Sequence, residues 1–383
     1  MNTVRFLEVS WPEALLRYDC VDATPPLPAA AVGVRQYWAT DTARLDRSTG
    51  VRQFMATAWY PANTDPQRRR SGPLDLLLNN VDPVLHLLIS KDASGKADAS
   101  AAKQRLESLA VRAQSGLEAK TGVYPILIFY PGGQCHRFSK AGLCESLASL
   151  GYVVFALDAP RDAPVVVFPD GRQIMEPMAK NEDFIWPRVA DIRFLLDQLA
   201  RQNTVGSLAG HLDLKRIGIF GGSRGGYLSN IMAVADERVK AAANMDGFLW
   251  GFMPGKNGTG LERYPSEWQD MARSIQTPVL RLQCDQDSTG ASRANFSRES
   301  QDFGGEFIYA ALSGFSHSGF APTPWLCGPV ETCLKLETAP DFRSYGVLIA
   351  LLSGFFGEHL CGESSDWFSV NSVRPEVSSL AIK

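Results

Sequence analysis

Ser223 lies in Gly221-Gly222-Ser223-Arg224-Gly225, a G-x-S-x-G arrangement. Before it runs the apolar Ile217-Gly218-Ile219-Phe220, and after it Tyr227 to Asp236 holds neither glycine nor proline. A short buried strand, a tight turn and a helix make the context in which this pattern becomes a nucleophile elbow, with a serine hydroxyl raised at the end of a sheet. The bare pattern recurs by chance, so the flanking context is what gives it weight. Glycine at 221 and 225 lets strand and helix close to within a backbone's width. A serine hydroxyl attacks poorly until a base removes its proton, so Ser223 needs a histidine, and the histidine needs a carboxylate to orient it.

The chain offers five histidines: His86, His136, His211, His317 and His359. On an elbow of this kind the order along the chain is Ser, acid, His, with the base after the last strand of the run. His317, in Gly314-Phe315-Ser316-His317-Ser318-Gly319, sits on a glycine-flanked loop directly after the apolar segment Glu306 to Leu312, and is the candidate base. His359 near the end of a closing helix and His86 in an insertion suit packing or surface roles. Two carboxylates qualify as the acid. Asp246 ends the strand Ala241 to Met245, and Asp287 follows the strand Val279 to Gln283 in Cys284-Asp285-Gln286-Asp287. Either strand end can deliver a carboxylate to the imidazole, and the residue pattern alone leaves both open. The oxyanion formed when Ser223 attacks a carbonyl needs backbone donors already aimed at it. One is the amide of Arg224, at a helix N-terminus where the dipole favours negative charge. The other is assigned to Gly133, in the strand-following loop Tyr130-Pro131-Gly132-Gly133-Gln134.

Positioning these groups takes a particular run of elements. Val34 to Thr40 and Gln53 to Tyr60 alternate as two antiparallel strands around the turn-like Arg47-Ser48-Thr49-Gly50. From Tyr124 onward, apolar strands (Ile126 to Tyr130, Tyr152 to Leu157, Arg216 to Phe220, Val239 to Met245, Pro278 to Gln283, Glu306 to Leu312) alternate with helical stretches (Lys140 to Leu150, Asp183 to Gln202, Tyr227 to Asp236, Tyr345 to His359). That pattern predicts an α/β fold, a mostly parallel central sheet with helices on both faces and active groups at the strands' C-terminal ends. Glu306 to Leu312 is read as the last strand, and the proline-rich residues 1 to 33 as an irregular arm over the body. Residues 1–383 read as one domain, in which 62–120 break the pattern as a helical insertion or lid.

Composition narrows the function classes. A hydrophobic content of 45% and a charged content of 21% suit a soluble globular protein with a sizeable core. The net charge of -3, with Arg68-Arg69-Arg70 as the only basic run, argues against nucleic-acid or membrane-surface binding. Seven cysteines without a C-x-x-C pair carry no zinc or iron-sulfur pattern, so no metal and no organic cofactor is expected. Glu8, Pro12 and Glu13 stand where an apolar leader core would be, and no apolar run reaches the roughly 18 residues of a membrane span. The expectation is a cytoplasmic monomer or homodimer, with Cys327 and Cys333 reduced.

These motifs carry a resemblance to the α/β-hydrolase superfamily, and within it the chain resembles the platelet-activating-factor acetylhydrolase-like branch, with dienelactone hydrolases and cutinase-type polyester hydrolases as relatives. The resembling stretches are Trp59-Tyr60-Pro61-Ala62, Tyr124 to Phe129 with Pro131-Gly132-Gly133, Leu147 to Val154, Asp158-Ala159-Pro160, Gly221 to Gly226, Asn244-Met245-Asp246-Gly247 and Phe355 to Leu360. The resemblance implies a carboxylic ester hydrolase working through an acyl-enzyme on a small ester substrate. It implies Asp246 as the acid, whereas the similarity of Cys284 to Ser288 and Ser316-His317-Ser318 to cutinase-type enzymes would place the acid at Asp287. The chain departs from the branch at Gly222, where a histidine is usual, at Arg224, where a small or apolar residue is usual, and at Pro131-Gly132, where His-Gly is common. Two other readings keep the same residues. An acyltransferase or cyclase of secondary metabolism would pass the acyl group to an alcohol or amine, and a non-catalytic scaffold would bind a small molecule without turnover.

Overall fold

The computed structural model describes residues 5–9, 31–64, 113–175 apart from 134, 159 and 164, 185–247, 252–254, 261–263, 276–284, 303–312, 342–364 and 377–383, with single residues between them that include Phe315 and His317. In chain order the strands are β1 (Arg5–Val9), β2 (Val32–Asp46), β3 (Gly50–Pro61), β4 (Ala113–Ser115), β5 (Tyr124–Tyr130), β6 (Val153–Asp158), the short pair β7 (Val166–Val167) and β8 (Gln173–Ile174), β9 (Leu212–Gly222) and β10 (Val239–Met245). They continue with the pair β11 (Phe252–Pro254) and β12 (Leu261–Arg263), then β13 (Val279–Cys284), β14 (Phe307–Leu312) and β15 (Val377–Ile382). Among the described residues the α-helices are α1 (Ala141–Ser149), α2 (Trp186–Val205), α3 (Arg224–Ala235) and α4 (Phe342–Phe356), the last continued by a π-helical turn at Gly357–Cys361.

The main sheet runs β1-β2-β3-β6-β5-β9-β10-β13-β14-β15, with β4 beside β2. Its centre, from β6 to β14, is parallel throughout. The β1-β2-β3 meander at one edge and β15 at the other pair antiparallel. Consecutive residues of the central strands face opposite sides, and both sides are covered. Leu127, Phe129, Val154 and Phe220 meet α1 and α4 through Leu143, Leu147, Leu352 and Phe355. Ile126, Ile128, Phe155 and Ile219 meet α2 and α3 through Ile192, Leu195, Leu228 and Ile231. Each such side chain contributes about 1.5–3 kcal/mol on full burial, which is why the central strands read as mostly apolar segments. A buried ion cluster stitches the meander to α2: Arg52 bridges Asp46 and Asp191, each at 2.6 Å, and Arg44 reaches Asp191 at 2.8 Å.

Two expectations are corrected. Residues 1 to 33 are not all irregular, because Arg5–Val9 adds an antiparallel strand to β2 and β2 itself begins at Val32. Nor is β14 the last strand, since β15 closes that edge with a pairing from Leu312↔Val377 to Ile308↔Ile382. Neither segment forms a strand by local pattern alone; a waiting sheet edge supplies the partner groups. The insertion's described ends return to one place, with an antiparallel bridge Ala62↔Ala119 and Lys120 N donating to Pro61 O at 2.9 Å. Residues 65–112, which include His86 and the helical stretches expected there, lie outside the described residues, as do Cys327 and Cys333.

Candidate active site

At the end of β9, between β5 and β10, the chain turns at Ser223 with φ 55° and ψ −120° and enters α3 at Arg224. A serine rarely adopts that backbone, and holding it there costs about 1–3 kcal/mol, which surrounding contacts must offset. Ser223 N donates to Met245 O at 3.0 Å, and Tyr227 N donates to Ser223 O at 3.1 Å. The glycines are demanded by space. A Cβ at Gly221 would stand 2.4 Å from the Gly225 carbonyl carbon, and one at Gly225 would stand 1.9 Å from Tyr130 O. Those neighbours are backbone and cannot rotate away. Gly225→Ala is therefore expected to lower stability by about 3 kcal/mol or more, the upper end for overpacking; a melting temperature equal to wild type would contradict this account of the turn.

On the next strand Asp246 follows β10, also at positive φ (54°), with its N–H donating to Leu282 O at 2.7 Å. Its carboxylate collects donors. His317 Nδ1 stands 2.5 Å from Oδ2 and Cys284 Sγ 3.1 Å from the same oxygen, while Gln283 Nε2 lies 2.6 Å and Cys284 N 3.3 Å from Oδ1. Arg281 in turn donates to Gln283 Oε1 at 2.9 Å. Burial by itself would push the Asp246 carboxyl up, but hydrogen bonds from His317 and Cys284 and the charges of His317 and Arg281 outweigh it and hold it below the usual value. The Asp246 side chain is 4% exposed and that of His317 50%. With Nδ1 donating to a carboxylate, the neutral imidazole keeps its basic lone pair on Nε2.

The other described histidines stand elsewhere. His136 is buried, and burial, aided by Arg137, holds its imidazole down to about 4, so it is neutral. His211 Nδ1 meets Gly122 O at 2.9 Å, and His359 Nε2 lies 3.7 Å from Glu306. Asp287 lies outside the described residues. Among the described residues, no cluster of three or more His, Cys, Asp or Glu side chains could hold a metal ion, and no helix is long and apolar enough to cross a membrane.

The loop after β5 lies against the elbow. A Cβ at Gly132 would come within 3.4 Å of Ser223 Cβ and 3.3 Å of Gly222 O. The loop's far end is anchored by Arg137, which meets buried Asp158 at 2.7 Å, Thr57 Oγ1 at 2.9 Å and Gln36 Oε1 at 3.2 Å. Arg224 begins α3, so its amide is one of the N-terminal donors without an intrahelical acceptor. Its side chain crosses Gly133 and meets Asp162 at 3.3 Å. Sequence reasoning singled out neither Asp162 nor the pair Gln283 and Cys284. The signal for the latter was present, as Arg281 and Gln283 alternate within an otherwise apolar buried strand. Asp162 had none, because its partners come from three separate elements.

The family model described as "Dienelactone hydrolase family" matches residues 128–321, from the middle of β5 through the His317 loop. The chain belongs to the dienelactone hydrolase family. A curated relative, the "Probable 1-alkyl-2-acetylglycerophosphocholine esterase" of Arthroderma benhamiae, is 35% identical over 133 residues, a match that spans 33% of this chain and about a third (32%) of that relative. Among solved structures, a ferulic acid esterase from Streptomyces cinnamoneus superposes with a TM-score of 0.69 at 24% identity, covering 91% of this chain and 96% of that one. At that identity the likeness is one of fold, and it agrees with the α/β-hydrolase sheet described above. One departure of this dienelactone hydrolase family member now has a physical reading. A Cβ at Gly222 would stand 3.2 Å from Lys140 Cε, so buried Lys140 fills the space into which a larger elbow residue would project.

Proposed function

We propose that this dienelactone hydrolase family protein is a serine hydrolase that cleaves a carboxylic ester or related acyl bond of a small-molecule substrate through an acyl-enzyme on Ser223. The observation that carries the reading is the 2.5 Å contact between His317 Nδ1 and Asp246 Oδ2, at strand ends next to a serine held at positive φ. In this reading His317 Nε2 takes the Ser223 proton as Oγ bonds to the carbonyl carbon. The oxyanion is met by the amides of Gly133 and Arg224. As the carbon–oxygen bond to the leaving group breaks, His317 returns the proton to the departing alcohol. Water then repeats the sequence, releasing the acid and restoring Ser223. Asp246 orients the imidazole and stabilises its charged form. Residues 62–120, which leave and rejoin the sheet at the Ala62↔Ala119 bridge, are read as an insertion in a single domain.

The test is intact mass after incubation with a fluorophosphonate probe, beside turnover of p-nitrophenyl acetate and longer-chain esters. One probe adduct with ester turnover supports the reading; labelling without turnover in water points to transfer onto another acceptor, and no labelling removes the serine mechanism. The pH profile is a second check. Asp246 is held below the ordinary carboxylate range, so it stays ionised at every pH above that range and acidification reaches it last. Between about pH 4 and pH 8 the mechanism then requires one proton to leave, from His317, and log kcat/KM is expected to rise with a slope of one on the acidic side. A slope of two would mean that Asp246 titrates together with its partner.

A further inference from the structure

The oxyanion loop contains two adjacent glycines, Gly132 and Gly133, and a glycine backbone keeps more freedom than any other. A donor that wanders cannot stabilise an oxyanion without reorganising first, so something must hold Gly133 still. The Arg224 side chain lies where it can do so. Its Cζ and Nε are 2.6 Å, and its Cδ 2.8 Å, from the point where a Cβ of Gly133 would be, so the guanidinium covers the face of the loop that a side chain would otherwise occupy. Arg224 NH1 meets Asp162 Oδ1 at 3.3 Å, with side-chain exposures of 29% and 5%. Asp162 is itself fixed, its Oδ2 accepting from Tyr130 Oη at 3.1 Å and from buried Arg188 Nε at 3.2 Å. Tyr130 is the last residue of β5 and runs directly into Pro131-Gly132-Gly133. A ring therefore closes: from the strand end through Tyr130, Asp162 and Arg224 back onto the loop that the strand feeds.

We propose that the Arg224 side chain is a positioning residue for the oxyanion hole, pinned by Asp162 and laid across Gly133 to hold the loop at the distance set by α3. This rests on the assignment of the Gly133 and Arg224 amides as oxyanion donors. One residue then couples both donors, since its own amide is one and its side chain holds the other. A planar guanidinium suits the task, because it can lie flat on a peptide and still present an edge to a carboxylate, which an ammonium cannot do. The ion pair is held by a buried carboxylate with two further donors, so the side chain has little freedom to leave the loop.

Replacing the side chain leaves the Arg224 amide in place, so the effect can be separated from loss of a donor. Arg224→Ala, Arg224→Met and Arg224→Lys are compared with wild type for kcat and KM on p-nitrophenyl acetate, and for inhibition by phenylboronic acid, whose adduct on Ser223 Oγ carries an oxyanion. A misplaced donor is expected to lower kcat by about 10²-fold, with KM within about 3-fold and boronate affinity falling in parallel. Arg224→Lys restores little, and Gly133→Ala, which displaces the guanidinium, costs no more when combined with Arg224→Ala than the worse single change. Arg224→Met keeps the length of the stem and guards against a trivial folding failure, with melting temperature as the control. The proposal is overturned if kcat is unchanged in folded variants, or if KM alone rises for esters with an anionic acyl group, which would make Arg224 a substrate contact. If wild type neither labels with the fluorophosphonate nor turns over esters, the hydrolase reading has failed; if wild type does both and the folded variants match it, this proposal alone has failed.

Discussion

Ser223→Ala is expected to leave a folded protein whose kcat on p-nitrophenyl esters is lower by on the order of 10⁶-fold, with no fluorophosphonate adduct. The size follows from the route. On the proposed route, without Oγ no acyl-enzyme can form, and the proposed oxyanion loop and imidazole can then act only on a water that nothing positions. His317→Ala is expected to fall by a similar factor, because the serine proton then has no acceptor, and the two changes together should cost little more than either alone. The elbow makes the serine variant a clean probe. Residue 223 sits at φ 55°, with its backbone bonded to Met245 O and Tyr227 N, and alanine keeps both bonds and accepts the same strain, so the fold is expected to be retained. Intact mass, circular dichroism and ester turnover on the same sample decide it; full labelling of Ser223→Ala would place the nucleophile elsewhere.

Asp246→Asn is expected to lower kcat by about 10⁴-fold, with Asp287→Asn near wild type. The argument is one of donors and acceptors. The Asp246 carboxylate accepts from His317, Cys284 and Gln283. If asparagine turns its oxygen to Gln283, its amide hydrogens face His317 Nδ1 and push the ring proton to Nε2, where a base needs its lone pair. If it turns the other way, Gln283 Nε2 meets another donor. Both outcomes damage the site while the backbone bond from residue 246 to Leu282 O survives, so the melting temperature should move far less than kcat. Equal losses from the two variants would assign a share of the work to Asp287, and the reverse ranking would exchange their roles.

Much of the frame was legible in the chain because burial writes itself into the residue pattern. Strands such as Tyr124–Tyr130 and Phe307–Leu312 are covered on both faces, so they must be apolar throughout, and that is readable without coordinates. The elbow was legible for a related reason. Only glycine fits where Gly221 and Gly225 meet backbone, so close approach leaves its mark in residue type. The edges were not legible. Arg5–Val9 and Val377–Ile382 become strands because β2 and β14 offer unpaired backbone groups, a fact that resides in the sheet and not in either segment.

The site divides along the same line. By itself, the sequence determined a strand-elbow-helix carrying Ser223, a histidine on the loop after β14, a glycine loop after β5 and two eligible carboxylates, because each of these is a local arrangement of residue types. Only the tertiary structure brought Asp246 to His317 across an interval of 71 residues, surrounded that carboxylate with Gln283 and Cys284, and laid Arg224 over Gly133 under the hold of Asp162. Those contacts depend on which strands lie side by side and how far each extends, and on loops leaving the same end of the sheet; a chain read in order states the parts, while adjacency arises when parallel strands stack in an order that differs from their order in sequence.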